Sequence, residues 1–212
     1  MKTQNPIVGR STGKLANTIF SKWKQNNVVR SKPLEVANPR TEAQQIQRSK
    51  FAFLLVIAQS LGMSLRAGFR EVATKMTEFN KFMSTNLNSQ VIQGHSPNWQ
   101  LSYPDLKLSM GSLDPTSAPT GSASAASGMI DIGYETSVNG NQSGGDKAYA
   151  VVILPDSVAF SNAVKTRVDG SIGIDAQGEF EAGDKLHVYL FFTSPDGRKV
   201  SNSEYVEVLA SI

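Results

Sequence analysis

Two histidines, His95 and His187, are the only imidazoles in the chain, and there is no cysteine. The missing thiol removes disulfides, thiolate metal sites and a cysteine nucleophile together. A hydrolytic triad needs a nucleophile, a base and an orienting acid in contact. Serines and acids are plentiful, and Gly9-Arg10-Ser11-Thr12-Gly13 matches G-x-S-x-G, but no helical period follows it as a nucleophile elbow requires. The sequence has no Gly-rich loop ending in Lys-Ser/Thr and no HExxH. Asp131, Asp146, Asp175 and Asp184 could offer oxygens to calcium, but no DxDxDG spacing gathers them, and they read as turn and strand-edge aspartates. His187 sits beside Val188 and Leu190, where an exposed or satisfied imidazole fits better than a ligand. The expectation is a protein that is not an enzyme, with no catalytic residue, metal or cofactor.

The cations make a different offer. Residues 1–50 hold ten Lys/Arg against two Glu, a balance of +8, and the remainder holds eleven against sixteen Asp/Glu, a balance of −5. Arg10, Lys14, Lys22, Lys24, Arg30, Lys32 and Arg40 are spread along the first stretch, with Phe20 and Trp23 among them. Such residues can follow a phosphate backbone while an aromatic ring stacks on a base. No base-reading module accompanies them, so binding of that kind is sequence-independent. Alternatively, Trp23 anchors the segment in a neighbour's groove while the cations meet acidic protein surface. The acidic second half favours this anchor, and a solvated tail is the remaining reading.

The elements that must position these residues come next. With 212 residues, 40% of them apolar, the chain is long enough for a real core in one large domain or two small ones. Its start, MKTQNPIVGR, has no apolar signal core, and the run FAFLLVIA is too short to span a bilayer, which predicts cytoplasmic synthesis without a signal peptide and no membrane span. Residues 1–40 show no period and read as a basic extended arm. Thr41 with Gln44 forms a capping-box pattern, so a helix starts there and runs to Gly62. The apolar run inside it is expected to be buried on more than one side. Leu65, Phe69, Val72, Met76, Phe79 and Met83 are spaced as a heptad seam on a second helix, which closes an α-hairpin over 41–87. From about residue 88 the period becomes two. Leu106, Leu108 and Met110 read as a strand, 114–127 as a flexible Ser/Ala/Gly linker, and MIDIGYE, KAYAVVIL, GSIGIDA and DKLHVYLFFTS as further strands. Pro195-Asp196-Gly197 marks a hairpin between about 184–194 and 198–208. The expected class is α+β: arm, α-hairpin, then an all-β immunoglobulin- or fibronectin-like sandwich over 88–212.

Several segments together resemble an uncharacterised bacterial family known only as a domain of unknown function. They are Trp23 and Lys24, Arg30 to Pro33, Asn38 to Phe51, Tyr103 to Leu113, and Val188 to Tyr205. The resemblance spans nearly the whole chain and implies that arm, hairpin and sandwich form one unit. It carries no assigned activity.

The functional expectation is a structural, self-assembling protein, a component of a virion (a phage-type capsid, penton or spike) or a similar assembly. Its partners are copies of itself and other assembly proteins. Phe20, Trp23 and the Leu65-to-Met83 seam are the expected assembly contacts. The alternative is a nucleic-acid-binding protein acting through the basic arm. A sugar-binding or catalytic sandwich would need clustered aromatics or acids on one sheet face.

Overall fold

In the computed structural model, the basic N-terminal stretch is a small sheet where the sequence suggests an extended arm. Described are residues 2–3, 12–23, 26–35, 40–117, 119–154, 158–161, 165–176 and 179–212. Strands β1 (Lys2–Thr3), β2 (Gly13–Leu15), β3 (Thr18–Trp23) and β4 (Asn26–Ser31) pair antiparallel in the order β1-β4-β3-β2. Thr, Ile, Phe and Val populate β3 and β4 and suit a pleated ladder. The turn from β2 to β3 puts Ala16 at φ 47°, a conformation that ordinarily calls for glycine. The Leu-Ala-Asn-Thr turn therefore hides the hairpin. This sheet lies in one compact unit, Met1–Thr41, and everything from Glu42 to Ile212 forms the other.

The second unit opens with α1 (Glu42–Ser60), which starts one residue after Thr41. Helix α2 (Gly62–Gly68) follows at an angle of 89°. The expected long second helix is broken: α3 spans only Glu78–Asn86 and is capped by Thr77, whose hydroxyl accepts from the Asn80 amide at 3.2 Å. The break has a packing cause. A Cβ on Gly68 would stand 2.2 Å from the Leu108 carbonyl oxygen, and the Gly68 carbonyl accepts from the Met110 amide at 3.0 Å. The incoming chain thus takes the bond that a continuing helix would have used.

A hairpin, β5 (Ile92–His95) with β6 (Asn98–Leu101), leads into the β-rich part. Seven strands there make one hydrogen-bonded sheet: β7 (Thr120–Ser124), β8 (Met129–Gly133), β9 (Lys147–Ile153), β10 (Val158–Ser161), β11 (Ser171–Asp175), β12 (Lys185–Thr193) and β13 (Glu204–Ser211), in the order β10-β9-β12-β13-β7-β8-β11. The expected linker is thereby corrected. Thr120–Ser124 is an inner strand, parallel to β13 and antiparallel to β8. Small residues fit there because Gly121 packs under Val208, whose methyl would lie 2.3 Å from an added Cβ.

The sheet curls until β11 returns beside β10 and β9, a nearly closed arrangement in an α+β protein. One core fills its concave side, with Ile130, Ile132, Val152, Ile172, Val188, Leu190 and Phe192. The alternate residues of the same strands, Val151, Tyr189 and Phe191, face a second core supplied by Leu54, Leu65, Phe69, Phe82 and Leu108. Strands β9 and β12 are therefore apolar on both faces, which explains their continuous hydrophobic runs. Each such fully buried Leu or Phe contributes about 1.5–3 kcal/mol of transfer free energy.

Candidate interaction surface

Of the sequence-derived cations, Lys14, Lys22, Arg30, Lys32 and Arg40 are exposed, while Arg10 and Lys24 lie outside the described residues, as does the side chain of Trp23. The register sorts them. Lys14 pairs with Ile19 and Ile19 with Arg30, so the two cations flank one isoleucine on a single face. Strand spacing sets them about 10 Å apart. Lys22 shares the other face with Phe20, which is half-buried opposite Val29.

The heptad seam is not an exposed stripe, and that expectation is corrected. Leu65, Phe69 and Met83 are buried in the second core, Val72 and Phe79 pack against it half-buried, and only Met76 is substantially exposed, at 47%. Two helices did need a partner for these faces, and the outer face of β9 and β12 is that partner.

Two of the segments that carry the family resemblance, Tyr103 to Leu113 and Val188 to Tyr205, hold the fold together. Leu106, Leu108 and Ser109 are buried and Lys107 is exposed, so the segment lacks the alternation of the expected strand, and side chains replace a ladder. The buried Asn86 amide donates to the Lys107 carbonyl at 2.9 Å, and its oxygen accepts from the Lys107 amide at 2.9 Å. The Leu108 amide donates to Ser203 Oγ at 3.1 Å, and Ser109 Oγ donates to the Ser201 carbonyl at 2.8 Å. Glu71 accepts from the Val200 amide at 2.7 Å and from the Ser112 amide at 3.1 Å. Burial alone would raise its carboxyl, but these hydrogen bonds outweigh it and hold the group below its ordinary range. The YPDLKLSMGSL and SNSEY motifs are two halves of one latch. The last hairpin is interrupted beside it: Thr193 bridges Val200 and the Ser201 amide donates to the Phe192 carbonyl at 2.8 Å, but regular pairing of β12 with β13 begins only at Glu204, past the residues that also engage the 108–113 segment.

His187 is packed and hydrogen-bonded. Its ring stacks on Tyr103 with centroids 3.4 Å apart, and Nδ1 lies 2.8 Å from the Tyr205 hydroxyl. Burial depresses its pKa, partly offset by Glu207. His95 is exposed at the end of β5, far along the chain from a second imidazole. Among the described residues no three His, Asp or Glu side chains gather as a metal site. Asp146, read from sequence as a turn residue, is 1% exposed and pairs with the fully buried Arg167 at 3.4 Å. No sequence spacing announces that pair.

What remains uncommitted lies on α1. Only Leu54 and Ala58 of its 19 residues are buried. The apolar run expected to be buried on more than one side is buried on one, at Leu54 and Ala58. Val56 points away from the buried pair and is 68% exposed, Ala52 is exposed a turn earlier, and Phe51 and Leu55 border them, Phe51 at 44%. The opposite flank is fixed by the β5–β6 hairpin: Trp99 Nε1 donates to Ser49 Oγ at 3.1 Å, and Lys50 Nζ sits 5.3 Å above the indole. No single helix among the described residues is long and apolar enough to cross a membrane; α1 and α2 satisfy length and composition only as a bent pair.

The sequence profile of a family of unknown function (DUF6266) matches residues 10–207, and the chain belongs to that family. No curated protein matches it significantly.

Proposed function

We propose that this member of the DUF6266 family is a non-enzymatic structural protein that assembles with copies of itself through α1. The observation that carries the reading is the uncovered apolar face of that helix, Ala52 and Val56 bordered by Phe51 and Leu55. Contiguous exposed apolar surface on a well-packed unit marks an interaction site. A second copy suits it electrostatically. The last turn of α1 contains no basic residue. An antiparallel pair centred between Ala52 and Val56 sets Arg48 of one copy against the other's C-terminal turn, where a cation is favoured by the helix dipole. In this reading the curled sheet serves as an immunoglobulin-like sandwich would, as a rigid carrier, and residues 1–41 act as the basic element of a virion-type assembly.

Light scattering on a size-exclusion peak tests the proposal. The chain should elute as a multimer at tens of micromolar, and Val56→Glu should shift it to a monomer with unchanged circular dichroism. A monomeric parent protein overturns it. A second reading, sequence-independent nucleic-acid binding, rests on Lys14 and Arg30 sharing one face of the N-terminal sheet. A nuclease-resistant absorbance signature on a monomer peak would rank it first.

A further inference from the structure

Beside α2, a cavity of about 280 Å³ lies between Met63, Arg66, Ala67 and Arg70 on one side and Tyr149 and Thr193 on the other. It is separate from the α1 face and from the latch. Arg66 lies in the last turn of α2 and Arg70 in the turn just beyond its end, and both line the cavity. Neither guanidinium has an ion-pair partner among the described residues. The nearby acids are engaged elsewhere: Glu71 holds the Ser112 and Val200 amides, and Asp196 holds Ser194 Oγ and the Arg198 amide. The far wall contributes an unusual group. Thr193 is 3% exposed, and its Oγ1 has no hydrogen-bond partner. Its neighbour Phe192 belongs to the concave core and Phe191 to the outer one, so alternation aims Thr193 at the helical side, where the cavity is. The Tyr149 ring, stacked on Phe191 with centroids 5.2 Å apart, adds a flat apolar wall, as do Met63 and Ala67.

We infer that this cavity binds a phosphate or phosphomonoester. Two guanidinium forks carry two positive charges, which a phosphomonoester dianion neutralises and a carboxylate does not. The orphaned Thr193 hydroxyl donates to a third oxygen of the tetrahedral group. The Met63, Ala67 and Tyr149 walls receive the apolar or planar substituent of an ester. Gly197 leaves room for the arm of Arg70, because a Cβ there would stand 3.2 Å from Arg70 Nη1.

Isothermal titration at fixed ionic strength with inorganic phosphate, phenyl phosphate and acetate tests this. Phosphate should bind saturably and phenyl phosphate more tightly than phosphate, with acetate at least tenfold weaker than either. Arg66→Gln and Arg70→Gln, both at exposed positions, should each weaken phosphate tenfold or more without altering circular dichroism. Thr193→Val supplies a readout of opposite sign. It removes an unsatisfied buried hydroxyl, so the free protein should melt at the same or a higher temperature while phosphate affinity falls. Phosphate binding no better than acetate, or affinity unchanged in both arginine variants, overturns the inference. If phenyl phosphate gains nothing over phosphate, the site is for the free ion and the ester part of the inference is wrong.

Discussion

At the scale of single residues, Arg167 is a guanidinium held inside the protein. It is fully buried, its Cζ lies 4.0 Å from the Phe192 ring centroid, and its Nε meets Asp146 Oδ2 at 3.4 Å. Burial pulls its pKa down, and Asp146 opposes that shift. Asp146 Oδ1 and Arg167 Nη1 have no partners among the described residues, so the pair is incompletely compensated. Removing one partner leaves a lone buried charge, and Asp146→Asn should cost about 3–5 kcal/mol in urea unfolding. Combining Asp146→Asn with Arg167→Met should cost less than the sum of the two single changes, because no charge is then stranded. His187 sets a pH dependence. Its folded pKa lies below the ordinary value of 6.5, so the unfolded chain takes the proton first. The stability it contributes is full above that pH and falls as pH drops through it. Tyr103, Tyr205, Glu207 and Lys185 surround the ring. Melting temperatures of the parent protein and of His187→Gln between pH 7.5 and 5.5 should converge towards low pH if the imidazole carries this term.

At the scale of elements, the segment 106–110 buries Leu106, Leu108 and Ser109 without belonging to a strand ladder. Its partner on one side is a single asparagine. Asn86→Ala leaves both the Lys107 amide and carbonyl unsatisfied and should cost about 2 kcal/mol or more, with faster hydrogen exchange at Lys107. An unchanged unfolding midpoint would show that water replaces the amide freely. The helices were legible in part for a related reason. Thr41 marks the start of α1, and three-and-four spacing finds the apolar face of Leu65, Phe69 and Met83, but that face belongs to the second core and not to the expected assembly seam. The same spacing could not show that Gly68 meets the Leu108 backbone and ends α2 there. Periodicity describes one helix with a uniform environment, and a long-range backbone contact breaks that uniformity.

At the scale of the whole molecule, the second unit is a two-core body in which helices and sheet share Val151, Tyr189 and Phe191 with the latch beside them. Assembly through α1 and phosphate at Arg66 and Arg70 are predictions at this scale, because each depends on what the packed body leaves uncovered. The local patterns were determined by sequence: strand runs at β8, β9, β11 and β12, the turn at Pro195-Asp196-Gly197, the α+β class and the charge imbalance. Each follows from residue type and near-neighbour spacing. Tertiary structure alone decided that a Ser/Ala/Gly stretch is an inner strand, that the heptad seam faces a sheet, and that FAFLLVIA keeps one side open. Burial is a property of what arrives from elsewhere in the chain, so periodicity can nominate an apolar face but cannot say what, if anything, covers it.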